Sequence, residues 1–254
     1  MSEKFELLDK LARKGSTFKF QNAAKISCLD IRSLKVLLSR MEKDGWIERI
    51  EKGKYLIIPL GAKKGKYTIN EFVIGSTLVE PAIISYWSAL NYHGLTEQVP
   101  TTVFIQTTAR KKKPELEIFG VKYKIIKVNE NKLVGYETIW IDDAKVHITD
   151  QEKTIADCLD KPQYCGGIIE VAKALQNDID LNKIIEYAKN MNNSAILKRL
   201  GYLCDKLGIP IDISHTYLAA GVPLLDPSID RKGTTNRKWK IMVNMDEKML
   251  GELE

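Results

Sequence analysis

The segment DIRSLKVLLSRMEKDG, residues 30–45, holds the clearest helical pattern of the chain. Its apolar residues recur at the spacing of one helical face: Ile31, Leu34, Leu37, Leu38 and Met41. Asp30 is placed to cap the N-terminus, and Gly45 is placed to end the helix. The opposite face and its flanks carry basic and hydroxyl side chains: Arg32, Ser33, Lys35, Ser39, Arg40 and Lys43. The pattern therefore predicts an amphipathic helix with a polar outer face.

The neighbouring segments predict a winged helix-turn-helix over residues 1–66. SEKFELLDKLARKG (2–15) predicts a first helix that ends at Gly15, and a shorter second helix is predicted around residues 20–26. WIERIEKGKYLIIP (46–59) alternates apolar and polar residues around a Gly-containing, Lys-rich turn, which predicts a two-stranded hairpin. Three short helices followed by a basic hairpin are typical of this DNA-binding fold.

Charge is concentrated in that region. Residues 1–66 hold 16 Lys or Arg and 8 Asp or Glu, a formal charge of +8, whereas the other 188 residues hold 23 and 25. This asymmetry indicates a module that binds a polyanion, attached to a nearly neutral second part. Double-stranded DNA is favoured over RNA, because no aromatic residue lies on the predicted outer face of the third helix. A winged helix that contacts only protein is the alternative.

The predicted DNA contacts come from three places: the start of the second helix, the outer face of the third, and the tip of the hairpin. They are Lys19, Gln21, Arg32, Ser33, Lys35, Ser39, Arg40, Lys43, Lys52 and Lys54.

Residues 67–254 predict a larger mixed α/β domain, so that the whole chain belongs to the α+β class. Residues 61–72 are rich in Gly and Lys and predict a linker. Residues 81–148 predict a sheet with one helix that starts at Pro81 and ends at Gly94, while 149–208 are helical. Thr149 and Glu152 fit a capping box, and 209–254 predict a loop that ends in a strand around Trp239–Val243.

Location and redox state follow from composition. No apolar run approaches the roughly 20 residues needed to cross a bilayer, and the charged N-terminus does not suit a signal peptide, so a cytoplasmic protein without membrane contact is expected. Four cysteines without a CxxC pair are expected to be reduced and mostly buried.

The sequence predicts no catalytic residue, metal site or cofactor. The phosphate-binding patterns GxxxxGK[ST] and GxGxxG are absent, as are GxSxG and HExxH, and the three histidines stand at no metal-binding spacing. Asp143-Ala144-Lys145 matches the acidic-x-Lys part of metal-dependent nucleases, as does Glu130-Asn131-Lys132, but the additional acid that such a site requires cannot be assigned. A nuclease stays open as the less favoured alternative.

A basic cluster stands outside the winged helix: Arg110, Lys111, Lys112 and Lys113. It is either a solvated loop or a patch for nucleic acid or an acidic partner.

The order of these segments resembles the AbiEi-type antitoxins of type IV toxin–antitoxin pairs. The residues that carry the resemblance are SALNYHGL (88–95), EKTIADCLD (152–160) followed by Gly166-Gly167, RLGYL (199–203), PLLDPS (223–228) and WKIMVN (239–244). The resemblance implies a repressor that binds inverted repeats near its own promoter. Its oligomeric state, monomer or weak dimer, stays open, since two half-sites can be filled by two monomers. The resemblance also implies a C-terminal domain that counteracts a nucleotidyltransferase-like toxin, without a stable complex and without catalytic residues of its own.

A ligand-responsive winged-helix regulator is a further alternative. His93, within SALNYHGL, is predicted to have a structural role at the end of its helix, since no second ligand or catalytic group stands at a suitable spacing from it.

Overall fold

The computed structural model describes residues 3–59, 69–246 and 248 of the 254-residue chain. Residues 3–59 form a winged helix-turn-helix. Its elements are α1 (Glu3–Ala12), β1 (Thr17–Lys19), α2 (Phe20–Ser27), α3 (Ile31–Lys43), β2 (Ile47–Glu51) and β3 (Lys54–Ile57). The three predicted helices and the hairpin are confirmed, with Asp30 as the N-cap of α3 and Gly45 in the left-handed region just beyond its end.

The helices of this unit close around one apolar cluster, formed by Leu7, Leu11, Phe18, Ala23, Leu34, Leu38, Met41 and Ile47. Strand β1 is an addition that the sequence pattern does not predict, because three residues carry too little alternation. It joins the hairpin because Phe18 is buried and stacks on Tyr55 of β3, with ring centroids 5.3 Å apart. The result is a three-stranded antiparallel sheet in the order β1-β3-β2.

The remaining described residues form a larger α+β unit, and the predicted fold class is confirmed. Its elements are α4 (Glu71–Leu78), β4 (Ile83–Ile84), α5 (Tyr86–Tyr92), β5 (Thr102–Thr107), β6 (Glu115–Ile118), β7 (Val121–Lys127), β8 (Tyr136–Ile141), β9 (Ala144–Thr149), α6 (Gln151–Asp160), α7 (Ile168–Ala174), α8 (Leu181–Asn190), α9 (Ser194–Lys206), β10 (Thr234–Asn236) and β11 (Ile241–Val243). Short 3₁₀ turns cover 130–132, 162–164 and 215–217.

A six-stranded mixed sheet organises this unit, in the order β6-β7-β5-β4-β9-β8. Strands β5 and β7 are parallel, as are β4 and β9, and the other neighbours are antiparallel. Both faces are apolar, as β5 illustrates: Val103 and Ile105 join the cluster around α4, while Phe104 joins the cluster of α5 to α9. Successive side chains of one strand therefore pack into two different apolar cores, one on each face of the sheet.

The winged helix shares its packing with this sheet. Ile50 of β2 and Leu56 of β3 belong to the same buried cluster as α4 and the sheet residues. The predicted domain boundary between residues 66 and 67 lies outside the described residues, and the division into 1–66 and 67–254 stays a prediction.

Helix α4 corrects the predicted linker over 61–72. Residues 60–68 lie outside the described part, but Glu71–Leu78 is helical, and the Asn70 side chain caps it by accepting from the Phe72 amide at 2.8 Å. Most of its residues are buried, namely Phe72, Val73, Ile74, Gly75 and Leu78. The helix contacts β1 as well as β4, β5 and β9, and so lacks the polar face by which helical periodicity is recognised.

The helix predicted from Pro81 is also corrected. Ile83 and Ile84 form β4, which pairs with β5 and β9, and α5 begins only at Tyr86. Apolar spacing alone cannot separate a buried two-residue strand from a first helical turn.

The capping box predicted at Thr149 and Glu152 is wrong, because α6 begins one residue later and Lys153 occupies its third position. Asp150 is the N-cap of α6 and accepts from the Lys153 amide at 2.8 Å, while the Thr149 hydroxyl bonds the Thr154 hydroxyl at 2.7 Å. The predicted C-terminal strand is confirmed as β11.

Two expectations from composition have structural counterparts. All four cysteines are free, and all but Cys28 are buried. Within the described residues, no helix has the length and apolar character needed to cross a membrane.

Candidate nucleic-acid interface

Helix α3 carries a basic face directed away from the core. Leu34, Leu38 and Met41 are no more than 1% exposed. The side chains predicted to meet DNA from this helix are all exposed: Arg32, Ser33, Lys35, Ser39, Arg40 and Lys43. A short helix with cationic and hydroxyl donors on its outer face has the dimensions and chemistry to enter a major groove.

Asp30 fixes the start of this face. Its carboxylate accepts from the amides of Arg32 at 2.8 Å and Ser33 at 3.0 Å, and the Ser33 hydroxyl donates to the other oxygen at 2.5 Å. The hydroxyl bond and then the amide bonds lower the pKa of Asp30 below its ordinary value, so the cap is ionised at neutral pH. Ser33 is thus engaged in the cap, although its side chain lies at the surface.

A cleft of about 720 Å³ separates α3 from the wing. All four predicted phosphate contacts line this cleft, together with two aromatic rings and several residues of α3 and the wing. The lining residues are Lys19, Phe20, Gln21, Lys35, Ser39, Glu42, Arg49, Lys52, Gly53, Lys54 and Tyr55. Sequence reasoning missed Arg49, which is exposed on β2 beside the buried Ile50. The alternation of β2 could not have identified it, because Ile47 and Ile50 are both buried and the strand has a register shift between Arg49 and Glu51.

A second, shallower cleft of about 400 Å³ lies along α3, lined by Leu29, Arg32, Ser33, Val36, Leu37 and Arg40. Val36 is 46% exposed there. The outer surface of α3 therefore has a cationic and hydroxyl side toward the wing and an arginine-bearing, partly apolar side away from it. Such a pair of sides can read both base edges and a thymine methyl group.

Lys19 is paired within the protein. This residue ends β1 and precedes α2, and its ammonium forms an ion pair with the carboxylate of Glu80, which follows α4. The lysine side chain is 40% exposed and the glutamate 78%, so the pair is open to solvent.

Lys54 is more firmly held. Its ammonium donates to Glu51 at 3.0 Å and to the Leu78 carbonyl at 2.6 Å, and Lys111 donates to the same two groups at 2.7 and 2.9 Å. Burial disfavours the charge of Glu51, but the hydrogen bonds from Lys111 and Lys54 outweigh it, and the pKa of Glu51 lies below its ordinary value. Burial also lowers the pKa of Lys54. Lys54 and Lys111 thus join the wing to the end of α4, and their ammonium groups are engaged within the protein.

The basic cluster at residues 110–113 is consequently divided. Lys111 is the partly buried member of the junction just described, whereas Arg110, Lys112 and Lys113 are exposed in the loop between β5 and β6. The sequence gives no sign of this difference, because it depends on Glu51, 60 positions away.

The acidic-x-Lys matches at residues 130–132 and 143–145 lie in different settings, and Lys132 of the first pairs with the buried carboxylate of Asp160 at 2.6 Å. Asp143 belongs to the β8–β9 turn, and the Lys145 ammonium lies 5.1 Å from the centroid of the Trp140 ring. Among the residues that the structure describes, no group of three or more His, Cys, Asp or Glu side chains could hold a metal ion.

The motif RLGYL is explained by packing. The Arg199 guanidinium is buried and donates to the carbonyls of Leu159 at 2.6 Å, Leu224 at 2.9 Å and Leu225 at 3.1 Å. A Cβ atom at Gly201 would lie 2.3 Å from the Trp239 ring, so only glycine lets α9 approach that ring. Two motifs far apart in sequence, RLGYL and WKIMVN, thus meet in one contact.

The Gly-Gly and LLDPS motifs meet in the same way. The Asp226 carboxylate accepts from the Ile168 amide at 2.8 Å, at the start of α7. Gly167 has φ +94°, and a Cβ there would lie 2.8 Å from that carboxylate. Asn244 in turn fixes Asp226, through bonds to its amide at 3.0 Å and its carbonyl at 2.7 Å.

His93 is held at the end of α5. It is the C-cap residue, followed by Gly94 at φ +70°, and its Nε2 lies 2.7 Å from the Thr149 carbonyl oxygen at the end of β9. Because a carbonyl can only accept, Nε2 donates in this contact. The ring therefore ties the helix to the sheet, as a structural role requires.

The geometry defines a protein with an N-terminal winged helix whose third helix carries a basic outer face, and comparison with known proteins agrees with this fold. Residues 6–58 match the family described as transcriptional regulator, AbiEi antitoxin. This match confirms the predicted resemblance to AbiEi-type antitoxins over the winged helix, and it indicates a transcriptional regulator of the antitoxin class. None of the curated proteins matches the chain.

A solved structure resembles the whole fold. The crystal structure of the RV2827C protein from Mycobacterium tuberculosis is similar at 12% identity and a TM-score of 0.64, covering 100% of this chain and 94% of that one. At this identity the likeness shows a shared fold alone.

Proposed function

We propose that this chain is a cytoplasmic, non-enzymatic DNA-binding repressor and antitoxin. It represses its own promoter at an inverted-repeat operator and counteracts a nucleotidyltransferase-like toxin. The observation that supports this best is the basic outer face of α3 beside the wing cleft, in the segment that matches the AbiEi regulator family. The proposed contacts with DNA are Gln21, Arg32, Ser33, Lys35, Ser39, Arg40, Lys43, Arg49 and Lys52, together with Lys19 once it leaves its ion pair with Glu80.

Base reading is assigned to the arginines of α3. Arg32 and Arg40 lie eight residues apart, just over two helical turns, and line the same side of the helix. Arginine donates two parallel hydrogen bonds to guanine O6 and N7, so loss of one such contact costs about 1–3 kcal/mol and relaxes specificity at one base pair. Lys52 at the wing tip and Lys43 at the end of α3 are assigned to phosphates.

A gel-shift titration with the DNA upstream of the protein's own gene tests this assignment. Arg40→Ala is expected to weaken binding at least fivefold, whereas the control Arg231→Ala removes the same charge from an exposed loop near the C-terminus and is expected to change it less than twofold. If Arg32→Ala and Arg40→Ala both leave affinity unchanged, α3 is not the reading helix.

The salt dependence separates phosphate contacts from base contacts. Lys52→Ala is expected to lower affinity equally for operator and unrelated DNA, and to flatten the slope of log K against log salt by about one. A variant that weakens operator binding alone would assign Lys52 to bases instead.

The antitoxin role rests on the family match and needs a separate test. Co-expression with a neighbouring nucleotidyltransferase-like gene product is expected to restore growth, without co-elution of the two proteins on size exclusion. Absence of rescue by a folded, DNA-binding protein would leave a regulator without antitoxin activity.

We propose that the protein is a monomer or a weak dimer. Sedimentation of the protein with and without a two-half-site operator would distinguish these two states.

A further inference from the structure

The ion pair between Lys19 and Glu80 joins the DNA-facing cleft to the second half of the chain. We propose that Glu80 sets the affinity of the winged helix for DNA, because its carboxylate occupies the position at Lys19 that a DNA phosphate would take. The proposal rests on the DNA-binding function above, and it assigns to a residue outside the winged helix a part in that function.

Lys19 lies where a backbone phosphate would approach. It is the residue immediately before α2, and the Phe20 amide that follows donates to the Gly53 carbonyl at the wing tip at 2.7 Å. Its side chain lines the same cleft as Lys35 and Lys52. A cation between the wing tip and the start of α2 is therefore placed to neutralise phosphate, provided that its ammonium can be released.

The Lys19–Glu80 ion pair can be broken at low cost because both side chains are exposed to solvent. Glu80 is 78% exposed and has solvent on most sides, and such pairs stabilise a protein only weakly. The hydrogen bond and charge of Lys19 lower the pKa of Glu80, so the carboxylate is ionised at any pH at which DNA binding is assayed. DNA must exchange its phosphate for this carboxylate, and the freed Glu80 then repels the same phosphate.

The ion pair of Lys54 with Glu51 differs from that of Lys19 with Glu80 in its burial. Lys54 pairs with Lys19 in the register of β1 and β3, but its side chain is only 18% exposed and also donates to the Leu78 carbonyl. Lys54 is therefore fixed to the junction, while Lys19 is exchangeable. Lys54 of the wing is therefore held away from DNA by the junction, while Lys19 before α2 is held in competition with it.

The experiment compares Glu80→Gln with Glu42→Gln by fluorescence anisotropy on operator DNA, in the full chain. Glu42 lines the same cleft, so its substitution removes an equal charge near DNA. Each is combined with Lys19→Ala. Glu80→Gln is expected to tighten binding by about two- to fivefold, a gain that disappears in the Lys19→Ala background. Any gain from Glu42→Gln is expected to persist there, because it does not act through Lys19.

The outcomes separate this inference from the proposed function. If wild-type protein binds DNA through Arg40 but Glu80→Gln has wild-type affinity, or gains equally with and without Lys19, then Glu80 does not compete for Lys19 and the inference fails. If no variant and no wild-type protein binds DNA, the proposed function itself fails. Melting temperatures of all variants, expected within about 2 °C of wild type, exclude an effect through unfolding.

Discussion

Gly201→Ala tests whether the motif RLGYL maintains the fold. In the middle of α9, alanine would gain about 1 kcal/mol of helix propensity over glycine. Its Cβ, however, would lie 2.3, 2.4 and 2.5 Å from three atoms of the Trp239 ring, which is 3% exposed. An added methyl group in a packed core typically costs about 1–3 kcal/mol, and three contacts with a rigid ring place this one near the upper end. We expect a net loss of about 2 kcal/mol.

Gly75→Ala is the matched control, since it makes the same change inside another helix. A Cβ at Gly75 would lie 3.2 Å from a methyl group of Ile105 and 3.4 Å from one of Ile84, contacts that small side-chain shifts can relieve. The propensity gain then decides the sign, and the free energy of unfolding is expected to stay equal or to rise by up to about 1 kcal/mol.

Urea denaturation followed by circular dichroism measures both variants. The Gly201→Ala midpoint is expected to fall with an unchanged m-value, and the melting temperature to fall by about 4–8 °C. Operator affinity at 20 °C should remain that of wild type. A Gly201→Ala protein as stable as wild type would refute the packing argument. Loss of growth rescue at full stability would instead make Gly201 part of a functional site.

Three further changes have definite expected results. Arg199→Met leaves at least three buried carbonyls without a donor and is expected to lower the free energy of unfolding by more than about 3 kcal/mol, measured by urea titration; a loss below 1 kcal/mol would contradict it. Asp30→Ala removes the cap of α3 and is expected to cost about 1 kcal/mol in the same titration, with Asp9→Ala, on the surface of α1, as the near-neutral control. Because the folded-state pKa of Glu51 is lowered, its contribution is present above its ordinary pKa of 4.5 and is lost as pH falls through the folded value. The stability difference between wild type and Glu51→Gln is therefore expected to shrink between pH 6 and pH 3, and a difference that stays constant would show that the junction does not depend on this charge.

The basic outer face of α3 was largely predictable, because it depends on local pattern. Positions 30–45 repeat with the period of a helix, so Leu34 and Leu38 had to lie opposite Arg32 and Lys43 whatever the chain folded against. Whether a surface cation is free was not predictable. Lys19 and Lys52 look alike in the sequence, but Lys19 meets a carboxylate 61 positions away, and no local rule connects the two.

What the sequence determined by itself was the set of elements with a clear period or cap: the three helices of the winged helix, its hairpin, and the helices from α6 to α9. Tertiary structure decided the elements that are buried on all sides or too short to show a period, such as α4, β1 and β4. It also decided why glycine stands in the C-terminal motifs, since Gly201 is required by its contact with the Trp239 ring and Gly167 by its contact with the Asp226 carboxylate. The physical reason is range: helical periodicity and capping act over a few residues, while close packing and charge pairing join residues that only the folded chain brings together.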